Sequence, residues 1–155
     1  MSETEKPQEA KRKEFLSFRV STQEFCVDVM AVREIRGWTD VTPLPHAPAY
    51  VRGMINLRGT VLPIIDMGAR LGLTVDELAK RRVIVVVLIG TKLVGLLVDA
   101  VCDILAVPDD TLHAAPELAG DTISSFVTSV LTIEERMICL IALSKLLPEQ
   151  DAVAA

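Results

Sequence analysis

An internal repeat is the feature that most constrains the fold of this chain. A shift of 69 positions places VMAVREI (29–35) on VDAVCDI (98–104), so that both segments read V-x-A-V-x-acid-I. The same shift superimposes FLSFRV (15–20) on IVVVLI (84–89). Similarity at a constant spacing indicates that the chain contains two versions of one structural unit.

The repeated segments have the composition of short β-strands. They are rich in Val, Ile and Leu and are separated by turn residues, and at a slightly larger offset VLPIIDMGARL (61–71) falls opposite MICLIALSKLL (137–147). Short antiparallel strands with tight turns suit small closed barrels, which leave few exposed edges. We therefore predict an all-β fold of two small barrels that share an apolar seam, with short helices starting near 66 and within ALSKLLPEQ.

The domain boundaries follow from the same pattern. We expect one domain over 14–148, with the first barrel at approximately 15–80 and the second at approximately 83–147. Residues 1–13 are polar and 149–155 are weakly patterned, so both are predicted to be loose tails.

The repeated motif itself predicts two long strands with one apolar and one mixed face. Alternation along a strand would place two sets of residues in the core: Val27, Val29, Ala31 and Ile35; Leu96, Val98, Ala100 and Ile104. The mixed faces would then carry Met30, Val32, Leu97 and Val101 among acidic residues. Two interpretations stay open for these four: a partner protein covers them, or the other barrel does.

Composition excludes several classes of function. The net charge of −5, with only six aromatic residues, argues against binding of nucleic acid, including by an OB-like barrel. The apolar runs are much shorter than the ~20 residues of a membrane-spanning helix, and the N-terminus has no apolar export signal, so we expect a cytoplasmic protein without membrane insertion.

The sequence also lacks the usual signatures of catalysis and metal binding. Cys26, Cys102 and Cys139 are isolated, and His46 and His113 have no further ligands at metal-binding spacing. No phosphate-binding glycine loop and no nucleophile turn is present. We therefore predict a protein that is not an enzyme and has no cofactor and no metal.

Three segments together resemble the CheW family, the coupling proteins of bacterial chemotaxis. They are AVREIRG (31–37), TPLPHAPAYVRGMINLRGTVLPIIDM (42–67) and VGLLVDAVCDIL (94–105). The resemblance extends from about Phe15 to Leu147, and the N-L-R-G and I-D elements lie at the expected distances from the upstream E-I and the downstream V-D.

This resemblance implies a fold of two five-stranded, SH3-like β-barrels and an adaptor function without catalysis. The implied partners are the regulatory domain of the histidine kinase CheA and the cytoplasmic tip of chemoreceptors. The adaptor would be a monomer alone and would be recruited to membrane-associated receptor arrays. A CheW-like paralogue that serves an array unrelated to motility is the alternative.

The resemblance also implies six interface residues. Glu34 and Arg58 match an acid and an arginine that pair on the surface of the first barrel. Val32 and Val101 match aliphatic positions implicated in receptor contact at the groove between the barrels. Gly53 matches the glycine before the N-L-R-G hairpin, and Gly95 matches the glycine of the second unit implicated in partner binding. Which of the six contacts the kinase and which the receptor is left open.

The stretch MINLRGTVLPIIDM (54–67) is predicted to be a hairpin that displays its arginine. Asn56 to Gly59 would form the turn, and Pro63 would interrupt one rung of strand pairing. Asp66 would cap the short helix that follows.

Overall fold

The computed structural model describes residues 12–73, 82–108, 111–114 and 123–147. Within them the strands are β1 (Arg12–Val20), β2 (Gln23–Asp28), β3 (Val32–Gly37), β4 (Val51–Leu57), β5 (Thr60–Asp66), β6 (Val83–Ile89), β7 (Lys92–Val98), β8 (Ala100–Pro108), β9 (Leu112–Ala114), β10 (Val127–Ile133) and β11 (Arg136–Ile141). The helices are α1 (Met67–Arg70) and the 3-10 turns Val29–Ala31, Ile123–Phe126 and Leu143–Lys145.

The strands form two sheets with the same internal order. One sheet runs β3-β6-β7-β5-β4, and the other runs β8-β1-β2-β11-β10 with the short strand β9 at its edge. The repeat explains the match, because β1 and β2 are equivalent to β6 and β7, β3 to β8, and β4 and β5 to β10 and β11. The predicted all-β fold of two SH3-like barrels is confirmed, although one sheet has a sixth strand.

Each barrel takes its strands from both halves of the chain. We call the β3-β6-β7-β5-β4 sheet the first barrel and the other the second barrel. The hairpin β1–β2 pairs with β8 and β11 of the later half, whereas β6–β7 pairs with β3 and β5 of the earlier half. The predicted division into a continuous barrel at 15–80 and another at 83–147 is therefore wrong at the level of strand pairing.

The repeated motif is the place where the chain crosses between the barrels. Strand β2 ends at Asp28, and the 3-10 turn Val29–Ala31 precedes β3; in the same way β7 ends at Val98 and β8 begins at Ala100. The Asp28 carboxylate accepts a hydrogen bond from the Met30 N–H at 2.9 Å, and the Asp99 carboxylate accepts one from the Ser21 N–H at 2.8 Å. These aspartates stabilise the two breaks by satisfying backbone donors.

The crossover changes which residues face the core. Because the predicted long strand is interrupted, the alternation does not continue through it, and Ile35 and Ile104 are 48% and 60% exposed instead of buried. Leu97, predicted to lie on the mixed face, is buried inside the first barrel. Val27, Leu96 and Val98 are buried as predicted.

Three apolar clusters hold the molecule together. The largest lies between the barrels and includes Phe18 and Phe25 of the second barrel and Val85 and Leu96 of the first. The other two fill the barrel interiors, around Ile64 in the first barrel and around Leu131 in the second. The predicted shared apolar seam is thus confirmed as the principal core.

The two predicted short helices are present, as α1 and as the 3-10 turn Leu143–Lys145. Strand β1 begins at Arg12, two residues inside the predicted tail, while residues 1–11 and 149–155 lie outside the described residues. Asp66 caps α1 by accepting a hydrogen bond from the Ala69 N–H at 3.3 Å. No helix in the described ranges has the length and apolar character needed to cross a membrane.

Candidate protein-interaction surface

The turn between β4 and β5 holds Arg58 away from the body of the first barrel. Arg58 and Gly59 have φ angles of 51° and 90°, as expected for a two-residue hairpin turn with two left-handed positions. The Gly59 N–H donates to the Asn56 side-chain oxygen at 2.9 Å, which stabilises this conformation. The Arg58 side chain is consequently 71% exposed, as the sequence predicted for a display hairpin.

Glu34 on β3 joins Arg58 in a small ionic cluster. The Arg58 Nη2 lies 2.5 Å from the Glu34 Oε1, and the Arg36 Nη1 lies 2.8 Å from the Glu34 Oε2. Each oxygen of the Glu34 carboxylate therefore accepts a hydrogen bond from a different guanidinium group. The pairing of Glu34 with Arg58, which the resemblance implied, is present, and Arg36 is a third member that it did not identify.

The cluster keeps Glu34 ionised. The hydrogen bond from Arg58, followed by that from Arg36, lowers the pKa of the Glu34 carboxyl below its ordinary value. Glu34 in turn raises the pKa of Arg58. With two cations and one anion, the cluster carries a net positive charge, and its solvent exposure makes it suited to recognition more than to stabilising the fold.

Val32 and Val101 occupy equivalent positions in the two barrels, at or next to the start of a strand after a crossover. Val32 pairs with Val87, and Val101 pairs with Phe18. Both are partly buried and pack against the cluster between the barrels. The structure therefore supports the interpretation that the other barrel contributes to covering them, and it leaves part of each side chain accessible.

Gly53 has a packing role. A Cβ at this position would collide with the carbonyl group of Thr42, whose oxygen accepts a hydrogen bond from the Met54 N–H at 2.8 Å. The residue is buried, and its place in a partner interface stays a prediction. Its absent side chain allows the loop that follows β3 to bind the edge of β4.

Gly95 also has a packing role, inside the first barrel. A Cβ there would collide with the Ile64 side chain and lie 2.9 Å from the Ile84 Cγ2. Gly95 is buried, and its part in partner binding likewise stays a prediction. Both glycines affect the surface only through the elements that pack on them.

Arg70 joins the two barrels, a role that was not predicted from the sequence. Its guanidinium lies 4.1 Å from the ring centre of Tyr50 and 4.8 Å from that of Phe126, a cation–π arrangement with one ring from each barrel region. The Arg70 Nε donates to the Leu146 carbonyl at 2.8 Å, and Nη2 donates to the Lys145 carbonyl at 3.2 Å. The sequence contains one sign that Arg70 stabilises this region, namely a basic residue in the last turn of the predicted helix.

A groove of about 470 Å³ lies between the proline-bearing loop and the ends of β4, β5 and β7. We call it the loop groove; its lining residues are 44–48, 51, 54, 63, 92–94 and 147. Most of them are apolar. His46, considered as a ligand or base, lies on its wall, but no set of three or more His, Cys, Asp or Glu residues in the described ranges has the arrangement of a metal site.

The buried cysteine Cys26 is not an activated nucleophile. Cys26, Cys102 and Cys139 form no disulfide with one another. Burial raises the pKa of Cys26 to about 12, so this thiol is neutral at physiological pH and is a poor nucleophile.

Comparison with known proteins agrees with this architecture. The family model described as "CheW-like domain" matches residues 14–151. The chain is 55% identical to the "Chemotaxis protein CheW" of Rhizobium meliloti over 92% of each chain, and 35% identical to that of Klebsiella aerogenes over 89% of this chain and 83% of the relative.

A solved structure shares the fold. The crystal structure of the scaffolding protein TtCheW from Thermoanaerobacter tengcongensis matches with a TM-score of 0.81 and 28% identity, over 86% of this chain and 91% of that one. Together with the paired barrels, these similarities show that the chain belongs to the CheW-like family of chemotaxis scaffolding proteins.

Proposed function

We propose that this chemotaxis adaptor joins the cytoplasmic tip of chemoreceptors to the regulatory domain of the histidine kinase CheA, and so places the kinase under receptor control. The observation that carries the proposal is the Glu34–Arg36–Arg58 cluster, which an ordered hairpin presents at the surface of the first barrel. The adaptor acts by binding, and it is recruited to receptor arrays from the cytoplasm.

The geometry of the cluster suits recognition of a protein. Glu34 holds two guanidinium groups in place, while most of the Arg58 side chain remains open to solvent. A charged group that is already positioned loses less conformational freedom on binding than a free side chain does. Its charge also discriminates between partners, because contact with like charge is unfavourable.

The partly exposed Val32 and Val101 supply the apolar part of the proposed surface. They lie at equivalent positions on the two barrels and pack against the shared core, which holds their side chains in place. An apolar strip beside a charged rim is the usual composition of a protein interface. Weak individual contacts become effective when many adaptors, kinases and receptors are joined in one array.

The test is Arg58→Glu. We expect this variant to fold normally, because the exposed pair contributes little to stability, and to lose most of its capture of the receptor tip fragment or of the kinase regulatory domain. Circular dichroism and urea unfolding measure folding, and surface plasmon resonance with each purified partner measures capture. A panel of regulatory domains from different kinases identifies the array that the protein serves.

Two further variants make the test specific. Lys13→Glu applies the same charge change at an exposed position of β1 and should leave capture intact. The exchange of Glu34→Arg with Arg58→Glu restores the ion pair with reversed polarity; continued loss of capture then assigns Arg58 a direct contact. Full capture by Arg58→Glu itself would refute the proposed role of the cluster.

A further inference from the structure

The first crossover between the barrels displays an exposed methionine. Met30 lies in the 3-10 turn Val29–Ala31 and is 77% exposed, the largest fraction among the large apolar side chains that the described residues expose. In the second crossover the repeat places Asp99 at this position, and its carboxylate binds the Ser21 N–H. The first crossover thus leaves an apolar side chain in solvent where the second has an anchored acid.

The backbone of Met30 is fixed, although its side chain projects into solvent. The Met30 N–H donates to the Asp28 carboxylate at 2.9 Å, and the Met30 carbonyl accepts from the Arg33 guanidinium at 2.7 Å. Both backbone polar groups are therefore bound by charged side chains of the same segment. A side chain on a fixed backbone loses less conformational freedom when it enters an interface, and a thioether adapts well to an irregular apolar surface.

Met30 continues an apolar strip along β3, the edge strand of the first barrel. Val32 pairs with Val87 of β6, and Ile35 pairs with Val85. Both β6 residues belong to the core between the barrels, so the two β3 side chains lie on that side of the sheet. Ile35 is 48% exposed. The side chains at 30, 32 and 35 thus place accessible apolar area beside the shared core, as is typical of an interaction site.

The thioether of an exposed methionine is also a site of oxidation. Hydrogen peroxide transfers one oxygen atom to the sulfur: an S–O bond forms, the O–O bond breaks, the sulfur loses two electrons, and the peroxide is reduced to water. The product is a polar sulfoxide, which disrupts apolar contacts and is reversed by methionine sulfoxide reductases. Met30 and Met137 are accessible to a peroxide, whereas Met67 is fully buried.

We propose that Met30 is an oxidation-sensitive contact with the chemoreceptor tip. The inference rests on the proposed function and deepens it, because Val32, two residues further along the chain, is part of the surface proposed there. The reduced thioether extends the apolar strip against an apolar patch of the receptor. The sulfoxide places a polar group in the same contact and weakens it. A peroxide therefore lowers capture of the receptor, and reduction of the sulfoxide restores it.

The experiment treats the full chain with hydrogen peroxide and measures capture of the purified receptor tip fragment by surface plasmon resonance. Peptide mass spectrometry locates the added oxygen atoms, which we expect on Met30 and Met137 before Met67. Capture should weaken about tenfold, because the sulfoxide is a polar group in an apolar contact. Incubation with a methionine sulfoxide reductase should restore it. Circular dichroism before and after treatment verifies that the fold is retained.

Three variants assign the effect to one sulfur atom. Met30→Leu keeps an apolar side chain of similar volume, so capture should persist and peroxide should no longer weaken it. Met30→Gln should capture the receptor tip about tenfold more weakly without any peroxide. Met137→Leu is the matched control, because it removes a comparably exposed methionine on β11, and its capture should remain sensitive to peroxide.

The outcomes separate this inference from the proposed function. If the untreated protein does not capture the receptor tip, the proposed function fails and the inference fails with it. If the untreated protein captures the tip but Met30→Gln does so equally well, or if Met30→Leu remains sensitive to peroxide, the inference alone is overturned. A loss confined to capture of the kinase regulatory domain would overturn the assignment of Met30 to the receptor.

Discussion

The tips of the two equivalent hairpins have similar backbones and different charges. Arg58 opens the β4–β5 turn with a φ of 51°, and Glu134 opens the β10–β11 turn with a φ of 57°. The partner position on the neighbouring repeat strand is Glu34 in the first barrel and Asp103 in the second. The first barrel thus pairs opposite charges at its tip, whereas both corresponding positions of the second barrel are acidic.

The second barrel has its ion pair elsewhere. Arg136 on β11 binds both oxygens of Glu24 on the adjacent strand β2, and Glu24 raises the pKa of Arg136. This pair lies along the sheet instead of bridging the hairpin tip to the third strand. Duplication has preserved the backbone of the barrel, while the charges on it have diverged, which allows one molecule to present two different surfaces.

The largest expected effect, a loss of stability, comes from a difference between the interiors of the two barrels. Gly95 is equivalent by the repeat to Cys26, so the first barrel tolerates no side chain where the second buries a thiol. We expect Gly95→Ala to destabilise the protein by about 1–3 kcal/mol, because the new Cβ collides with Ile64 and approaches Ile84. Urea unfolding measures the change. Gly37→Ala is the control, since a Cβ there meets nothing within 4 Å, and equal losses for both variants would contradict the packing role.

The next effect concerns Arg70, the last residue of α1. In the repeat its position corresponds to Leu146, which follows the 3-10 turn Leu143–Lys145. Arg70→Met retains much of the side chain's bulk but removes the cation and both hydrogen bonds to the carbonyls of Lys145 and Leu146. We expect a loss of about 1–3 kcal/mol in the free energy of unfolding. Arg70→Lys should recover only part of it, because an ammonium cannot reproduce the planar fork. If Arg70→Met has wild-type stability in thermal and urea unfolding, Arg70 does not hold the two barrels together.

Cys26 makes the second barrel sensitive to alkaline pH. Burial raises its pKa to about 12, and an unfolded thiol has a pKa of ~8.5, so the folded state retains the proton over this interval. The stabilisation is complete below the unfolded pKa and is lost as the pH rises towards 12, with a slope of up to ~1.4 kcal/mol per pH unit. Cys26→Ala should show a flatter decline between pH 9 and 11 in urea unfolding; parallel curves would contradict the assignment.

The smallest effect tests whether the surface of the first barrel can be transferred to the second. Glu134→Arg would place a cation at the equivalent tip, where the repeat makes Asp103 the counterpart of Glu34. We expect stability to change by less than about 1 kcal/mol, because exposed ion pairs contribute little. Any stabilisation from the new ion pair should disappear in high salt. A large and salt-independent change would show that the two tips differ in more than charge.

Much of the architecture was predictable because it depends on local pattern. The repeat and the β-branched runs indicated two barrels, Asn56 to Gly59 indicated the turn, and Asp66 indicated a helix cap. The pairing of Glu34 with Arg58 came from the family resemblance. Arg36 was missed although its contact with Glu34 is local, because the two residues are at positions i and i+2 on one face of β3.

The wrong predictions of strand pairing and of burial have one physical origin, the exchange of hairpins between the halves. A strand that ends and crosses to another sheet has the same alternating pattern as one that continues, so Ile35 and Ile104 were placed in the core. The family resemblance assigned Gly53 and Gly95 to an interface, but the sequence carries no information about which residue each of them packs against. That neighbour is Thr42 in one case and Ile64 in the other.

The sequence by itself determined the local elements of this protein: the strands, the tight turns, the aspartate cap and the existence of two related units. These depend on residues that are close together in the chain, so their pattern is readable. Only the tertiary structure decided which hairpin belongs to which barrel, which faces are buried, and how Arg70 connects Tyr50, Phe126 and the final turn. Such contacts form between residues far apart in sequence, where hydrophobic burial and packing of the whole chain select the partner.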